Sequence, residues 1–118
     1  GIPPEKLIVA GFSQGGAMAL HVGLRHPKTL AGIMILSAYA LVEERLEAEA
    51  HEANRNTPMF FGHGTHDDVV QIDRGHHAHQ LVAHEDRETI FKSYPMAHQV
   101  CPEQINDIGE WLRQRLHS

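Results

Sequence analysis

The chain has one cysteine, Cys101. A single thiol cannot close an internal disulfide, so covalent stapling is excluded and a reducing, cytoplasmic location is expected. Long apolar runs are missing too. No stretch reaches the roughly 18–20 residues that a membrane-spanning helix needs. Positive charge is in deficit: Lys and Arg total 10 against 15 Asp and Glu, a formal net charge of −5. That balance argues against nucleic acid or an anionic membrane as an electrostatic partner. Repeats, low-complexity tracts and linker-like stretches are absent as well. The 118 residues, 42% of them hydrophobic, therefore read as one compact unit able to bury a core.

What is present is alternation. "LIVAGF", residues 7–12, is apolar without a polar face, as befits a strand covered on both sides in a parallel sheet. "SQGGAMALHVGLRHP" follows as a helix, with Ala17, Leu20 and Leu24 on its apolar side and Pro27 as its stop. "LAGIMILSAY", 30–39, "PMFFGHG", 58–64, and "TIFKSYP", 89–95, are three further strands, and Lys92 in the last suits a sheet edge. The acidic stretch 41–57 reads as a surface helix plus loop that can overhang the site. Residues 71–84 form a helix with Ala78, Leu81 and Val82 inward. Pro102 opens the last helix, with Ile105, Ile108, Leu112 and Leu116 on its face and Trp111 beside it. The class is α/β, with about four parallel strands and flanking helices.

Gly11-Phe12-Ser13-Gln14-Gly15 fits G-x-S-x-G and lies where a strand gives way to a helix, the context a nucleophile elbow requires. The turn is strained. Gly11 and Gly15 are expected to be there because side chains would collide with neighbouring elements, while Gly16 and Ala17 let helix and strand approach. The Gln14 N–H, at the helix N-terminus, points where an oxyanion would form. The same residues also suit a glycine-rich turn with a capping serine. A serine hydroxyl needs a base, and hydrolases of this class supply an acid and then a histidine later in the chain. "HGTHDDVV" offers Asp67 and Asp68, and "YPMAHQV" offers His98. All three positions fall at the C-terminal ends of parallel strands, where such sheets bind ligands.

Other chemistry is less well supplied. His63, His66, His76, His77, His79 and His84 raise the possibility of a metal site. At helical spacing, however, His76 pairs with His79 and His77 with His84 on separate faces, which does not converge on a tetrahedral site. No metal is expected, and His63 reads as a support for its loop. Cys101 has no activating neighbours and reads as a small structural residue. Phe12, Leu36, Tyr39, Val69 and Met96 flank the three loops as candidate acyl-pocket residues, each equally suited to the core.

At "GFSQGGAMAL", "ILSAY", "HGTHDDVV" and "YPMAHQVCPEQINDIGEWL" the sequence resembles the phospholipase/carboxylesterase family of α/β-hydrolases. The resemblance runs the length of the chain. It implies Ser13 as nucleophile, Asp67 as acid and His98 as base, no cofactor, and cleavage of small or acyl-chain esters or thioesters. It also implies that residues 1–118 form one partial domain, from nucleophile strand to C-terminal helix. The family places several strands and a second oxyanion donor before the nucleophile strand, whereas six residues precede Leu7 here. Impaired turnover is therefore expected. So is homodimerisation or other association through the exposed edge of "LIVAGF", the alternative being an inactive interaction module.

Overall fold

The computed structural model describes residues 3–41 and 50–116. Of the acidic segment expected as a helix and overhang, residues 42–49 lie outside the described residues. Strands β1 (Ile8–Phe12), β2 (Gly32–Leu36), β3 (Met59–Gly64) and β4 (Thr89–Tyr94) form a parallel sheet in the order β1-β2-β3-β4. Helices α1 (Gln14–Arg25), α2 (Ile72–Val82) and α3 (Pro102–Leu116) flank it. The continuous apolar runs explain the middle of the sheet, for β2 and β3 are buried along their whole length. β4 is an edge strand with Lys92 exposed, as expected.

The core has two halves. Leu20 and Leu24 of α1 and Ala78 and Val82 of α2 pack with Ile33, Ile35, Met59 and Phe61 on one face. Trp111 of α3 packs with Met34, Leu36 and Phe60 on the other, and Ile108 and Leu112 lie against this group. α1 stops as its sequence predicts. His26 is extended, φ −64° and ψ 133°, the conformation imposed by a following proline.

Two helical faces differ from expectation. On α2, Leu81 is 38% exposed while Ala78 and Val82 are buried. The helix contacts the sheet through Gly75, Ala78 and Val82, positions 3 and 4 apart that leave Leu81 at the rim. On α3, Ile105 is 60% exposed, and the fully buried positions are Gln104 and Trp111. The sheet is hollow under these two. A Cβ on Gly32 would come within 2.6 Å of the Trp111 ring, and one on Gly62 would collide with the Gln104 amide. The largest side chain fills the hollow, which rotates the helix and turns Ile105 to solvent.

A buried polar staple holds the opposite end of the sheet. Asn54 accepts from the Leu30 N–H at 2.8 Å and donates to the carbonyls of His26 and Lys28. Buried Arg87 donates to the Asn54 carbonyl at 2.8 Å, and burial pushes its guanidinium down to about 10.

Two histidines of α2, His76 and His79, act as aromatic packing. His76 stacks on Phe91 at 4.1 Å, and His79 meets Phe61 and Phe91 at steep angles. Burial, and then the charge of His76, lower the pKa of His79. The folded state thus binds this proton less well than the unfolded chain. The stabilisation is complete above the ordinary value of about 6.5 and is lost as pH falls from there through the lowered folded-state value. Thermal melts between pH 8 and 5 should show a shallower loss of Tm in His79→Gln than in the parent. Equal slopes would remove His79 from the account.

Candidate active site

β1 ends at Phe12 and α1 begins at Gln14, so Ser13 alone makes the turn. Its backbone sits at φ 57° and ψ −121°. A residue with a side chain held there costs on the order of 1–3 kcal/mol. Backbone bonds hold it in place: its N–H donates to the Leu36 carbonyl at 2.8 Å, and its carbonyl accepts from Ala17 at 3.1 Å. The Ser13 side chain makes no capping bond to α1, which leaves Oγ free for another partner. Glycine is required at the close approach of strand and helix at Gly11 and Gly16, as expected, but not at Gly15. A Cβ on Gly11 would strike the Gly15 carbonyl, and one on Gly16 would lie 2.7 Å from the Ala38 Cβ. A Cβ on Gly15 would meet nothing within 4 Å, so the expected collision there is absent. The tight crossing runs from Gly11 to Gly16, because Gly16 is the helical residue that faces the sheet.

The later loops come to this turn. His98 Nε2 lies 2.9 Å from Ser13 Oγ, and His98 Nδ1 lies 2.7 Å from Asp67 Oδ2. Nδ1 facing a carboxylate must be the donor, which leaves Nε2 as acceptor for the Ser13 hydroxyl. The Phe12 ring lies against His98 at 4.8 Å between centroids. The Asp67 side chain is fully buried, and its Oδ1 accepts from the N–H groups of Val69 and Val70 at 2.9 and 2.8 Å. Burial alone would raise the pKa of Asp67. The bonds from His98, Val70 and Val69 outweigh it and hold the carboxyl below its ordinary value. Asp68 is exposed. An ordered Ser–His–carboxylate relay can draw the proton off a hydroxyl as that oxygen attacks a carbonyl carbon.

Lacing between the two later loops was not foreseen. The Tyr94 carbonyl, at the end of β4, accepts from Thr65 N–H and from Met96 N–H, both at 2.8 Å. The His66 N–H donates to the Met96 carbonyl at 3.0 Å. Thr65, His66 and Met96 each lie within two residues of Asp67 or His98. Gly64 admits the lacing, since a Cβ there would strike the carbonyls of Met96 and Ala97. The Gly64 of the "HG" pair was the available signal. Tyr94 itself is buried, and its hydroxyl donates to Asp107 Oδ2 of α3 at 2.8 Å.

The remaining candidates are spread out. Gln14 is the first residue of α1, where an N–H has no intrahelical acceptor. Val69 is 66% exposed beside Asp67. Tyr39 lies under the Arg74 guanidinium, 4.2 Å from its centroid. Leu36 and Met96 are buried in the wall behind the site. Cys101 is half-buried, and its carbonyl accepts from Ile105 at the start of α3. Among the described residues, no three His, Cys, Asp or Glu side chains are gathered closely enough to hold a metal ion. No described helix is long and apolar enough to cross a membrane.

The model of the phospholipase/carboxylesterase family matches residues 1–116. Acyl-protein thioesterase 1 of Neurospora crassa is 38% identical over 119 residues, which cover 98% of this chain and 49% of that protein. Acyl-protein thioesterase 1 of Saccharomyces cerevisiae is 36% identical over 121 residues, covering 100% and 53%. The crystal structure of Arabidopsis thaliana SOBER1 superposes with a TM-score of 0.89 at 31% identity, over 98% of this chain and 56% of that one. The chain spans about half the length of the curated relatives it matches.

The glycine geometry gives a paired test. Gly11→Ala must push α1 off β1 and should cost at least about 2 kcal/mol or prevent folding. Gly15→Ala meets open space at a helical position, so its Tm should be unchanged or slightly raised. Thermal denaturation of both variants measures this, and equal destabilisation would overturn the assignment of the tight crossing.

Proposed function

The chain belongs to the phospholipase/carboxylesterase family, and on that premise we propose that it hydrolyses carboxylic esters or thioesters through Ser13, His98 and Asp67. The observation that carries this reading is the unbroken relay Ser13 Oγ, His98 Nε2, His98 Nδ1, Asp67 Oδ2, at 2.9 and 2.7 Å, on a serine held at positive φ.

In this reading Ser13 Oγ attacks the carbonyl carbon while His98 Nε2 takes its proton. The carbonyl oxygen becomes an oxyanion, held by the Gln14 N–H and the positive end of α1. Collapse of the intermediate breaks the bond to the leaving group and leaves an acyl-Ser13. An alkoxide takes the proton from His98 as it departs. A thiolate, the conjugate base of a group near pKa 8.5, needs that proton less. Water then adds to the acyl carbon with His98 again as base, the bond to Ser13 Oγ breaks as His98 returns the proton to that oxygen, and the carboxylic acid leaves. Asp67 stays ionised throughout, fixing the ring and stabilising the imidazolium. Phe12 and Val69 offer exposed apolar surface to an acyl chain, with Tyr39 and Met96 behind them. No metal or cofactor enters any step.

In this reading Gln14 supplies one oxyanion donor, and the loss of a single such donor costs about 10²–10³ in kcat. One observation favours a second role as a self-associating module. Among the described strands β1 has a neighbour on one side only, and Leu7, Phe12, Met18 and Val22 are exposed. A free apolar edge accepts a strand from another chain, most simply across a two-fold axis. Light scattering should give the mass of a dimer. A monodisperse monomer at high micromolar concentration would end this reading without touching the first.

Labelling with a fluorophosphonate tests the hydrolase reading directly, since it needs only an activated serine. The parent should label and Ser13→Ala should not. Asp67→Asn should slow labelling and aryl-ester turnover by up to about 10⁴, and Asp68→Asn by less than about threefold. Labelling retained in Ser13→Ala, or a larger loss from Asp68→Asn, would overturn the assignment.

A further inference from the structure

His63 is 1% exposed and plays no part in the relay. It lies on β3, and α2 crosses it at Gly75, where a Cβ would collide with His63 Nδ1. Its other nitrogen, Nε2, lies 2.7 Å from the Val70 carbonyl. A carbonyl only accepts, so Nε2 carries the proton. Val70 is therefore held twice. Its N–H donates to Asp67 Oδ1 at 2.8 Å, and its C=O is taken by His63. The same Nε2–H lies 3.6 Å from Asp67 Oδ2, too far for a hydrogen bond but close enough to turn the positive end of its dipole toward the carboxylate.

We propose that His63 is a positioning residue that, through the Val70 carbonyl, fixes the turn on which Asp67 presents Oδ2 to His98. The inference rests on the reading of Ser13, His98 and Asp67 given above. It assigns a task to the histidine of "HGTHD", which that mechanism leaves unused. Without the His63 donor, the Val70 carbonyl is left without its partner and the 67–70 turn can rotate. Asp67 Oδ1 then loses the N–H groups that aim its other oxygen. Burial supplies the reason for a histidine. An apolar side chain would fill the space but give no donor, whereas glutamine carries its amide nitrogen about as far from the backbone as Nε2.

The test compares His63→Leu, His63→Gln and the parent. One readout is the low-field proton NMR line of His98 Nδ1–H, assigned by its loss in His98→Ala. The other is kcat and KM for a short-chain aryl ester. In His63→Leu the line should broaden or vanish and kcat should fall by about 10- to 100-fold, with KM within twofold. His63→Gln should restore the line and bring kcat to within about threefold of the parent. A purely structural role would lower Tm in both variants equally and leave the line in place at temperatures below melting. An intact line in folded His63→Leu, or the same loss in both variants, overturns the proposal. If His63→Leu does not fold, Gly75→Ala, which pushes on the ring without removing it, must weaken the line. An unchanged line there also overturns it. Turnover retained in Ser13→Ala would sink the hydrolase reading alone, because the NMR comparison needs no turnover.

Discussion

The site depends on how closely α1 lies against the sheet at one turn. Ser13 occupies a backbone region that side chains avoid, at a cost on the order of 1–3 kcal/mol. That cost is offset by a backbone bond to Leu36 and by the contact of Gly16 with Ala38 across the crossing. The geometry has little slack. A Cβ at Gly16 would be 2.7 Å from another Cβ and 2.9 Å from the Gly11 carbonyl, so the helix would have to retreat by about an ångström. Ser13 Oγ lies 2.9 Å from His98. A retreat of that size takes the pair beyond hydrogen-bond reach. Backbone strain, glycine placement and the Ser13–His98 contact are therefore one constraint.

Sheet register carries that constraint to the other loops. Phe12 pairs with Leu36, Leu36 with Gly62 and Gly62 with Lys92, so the Ser13 turn leaves the sheet at this row. β3 and β4 run on together to Gly64 and Tyr94. Two further residues of strand add about 6–7 Å. The Asp67 and His98 loops thus start above the serine, and His98 must reach back over Phe12 to meet it. The laced backbone bonds at Tyr94 and Met96 keep a loop with that reach from swinging. The Tyr94–Asp107 bond ties the same point to α3. A one-residue shift of β4 against β3 would disconnect the relay and also turn Ile90 and Phe91 away from the core halves they pack against.

Much of this was legible because periodicity and punctuation are local. Unbroken apolar runs marked β2 and β3, Pro27 closed α1, and the three loops bearing Ser13, Asp67 or Asp68, and His98 stood at strand ends in order. What was not legible depends on partners distant in sequence. Gly11, Gly15 and Gly16 look alike in a string, and only the crossing angle decides which two need to lack a side chain. Ile105 fits an apolar stripe, yet the hollows at Gly32 and Gly62 put Trp111 and Gln104 inward instead. His63 and His79 are both histidines near aromatic or acidic groups. One binds a carbonyl and the other packs on rings, a difference set by the strand and helix opposite each.

The choice between two adjacent aspartates shows how burial and bonding act together. Asp67 and Asp68 have the same chemistry and differ by one position. Burial of a carboxylate without partners would raise its pKa and favour the neutral form, which cannot serve an imidazolium. Asp67 escapes this because its turn folds two backbone N–H groups onto Oδ1 and His98 supplies a third donor to Oδ2. Hydrogen bonds to a charged group contribute roughly 1.5–3 kcal/mol each, so three of them outweigh a desolvation cost of several kcal/mol. Asp68 is exposed, and water screens whatever field it sends toward the ring. Burial strengthens the charge that is bonded and exposure mutes the charge beside it. The turn that supplies the donors is thereby the feature that keeps the buried carboxylate ionised.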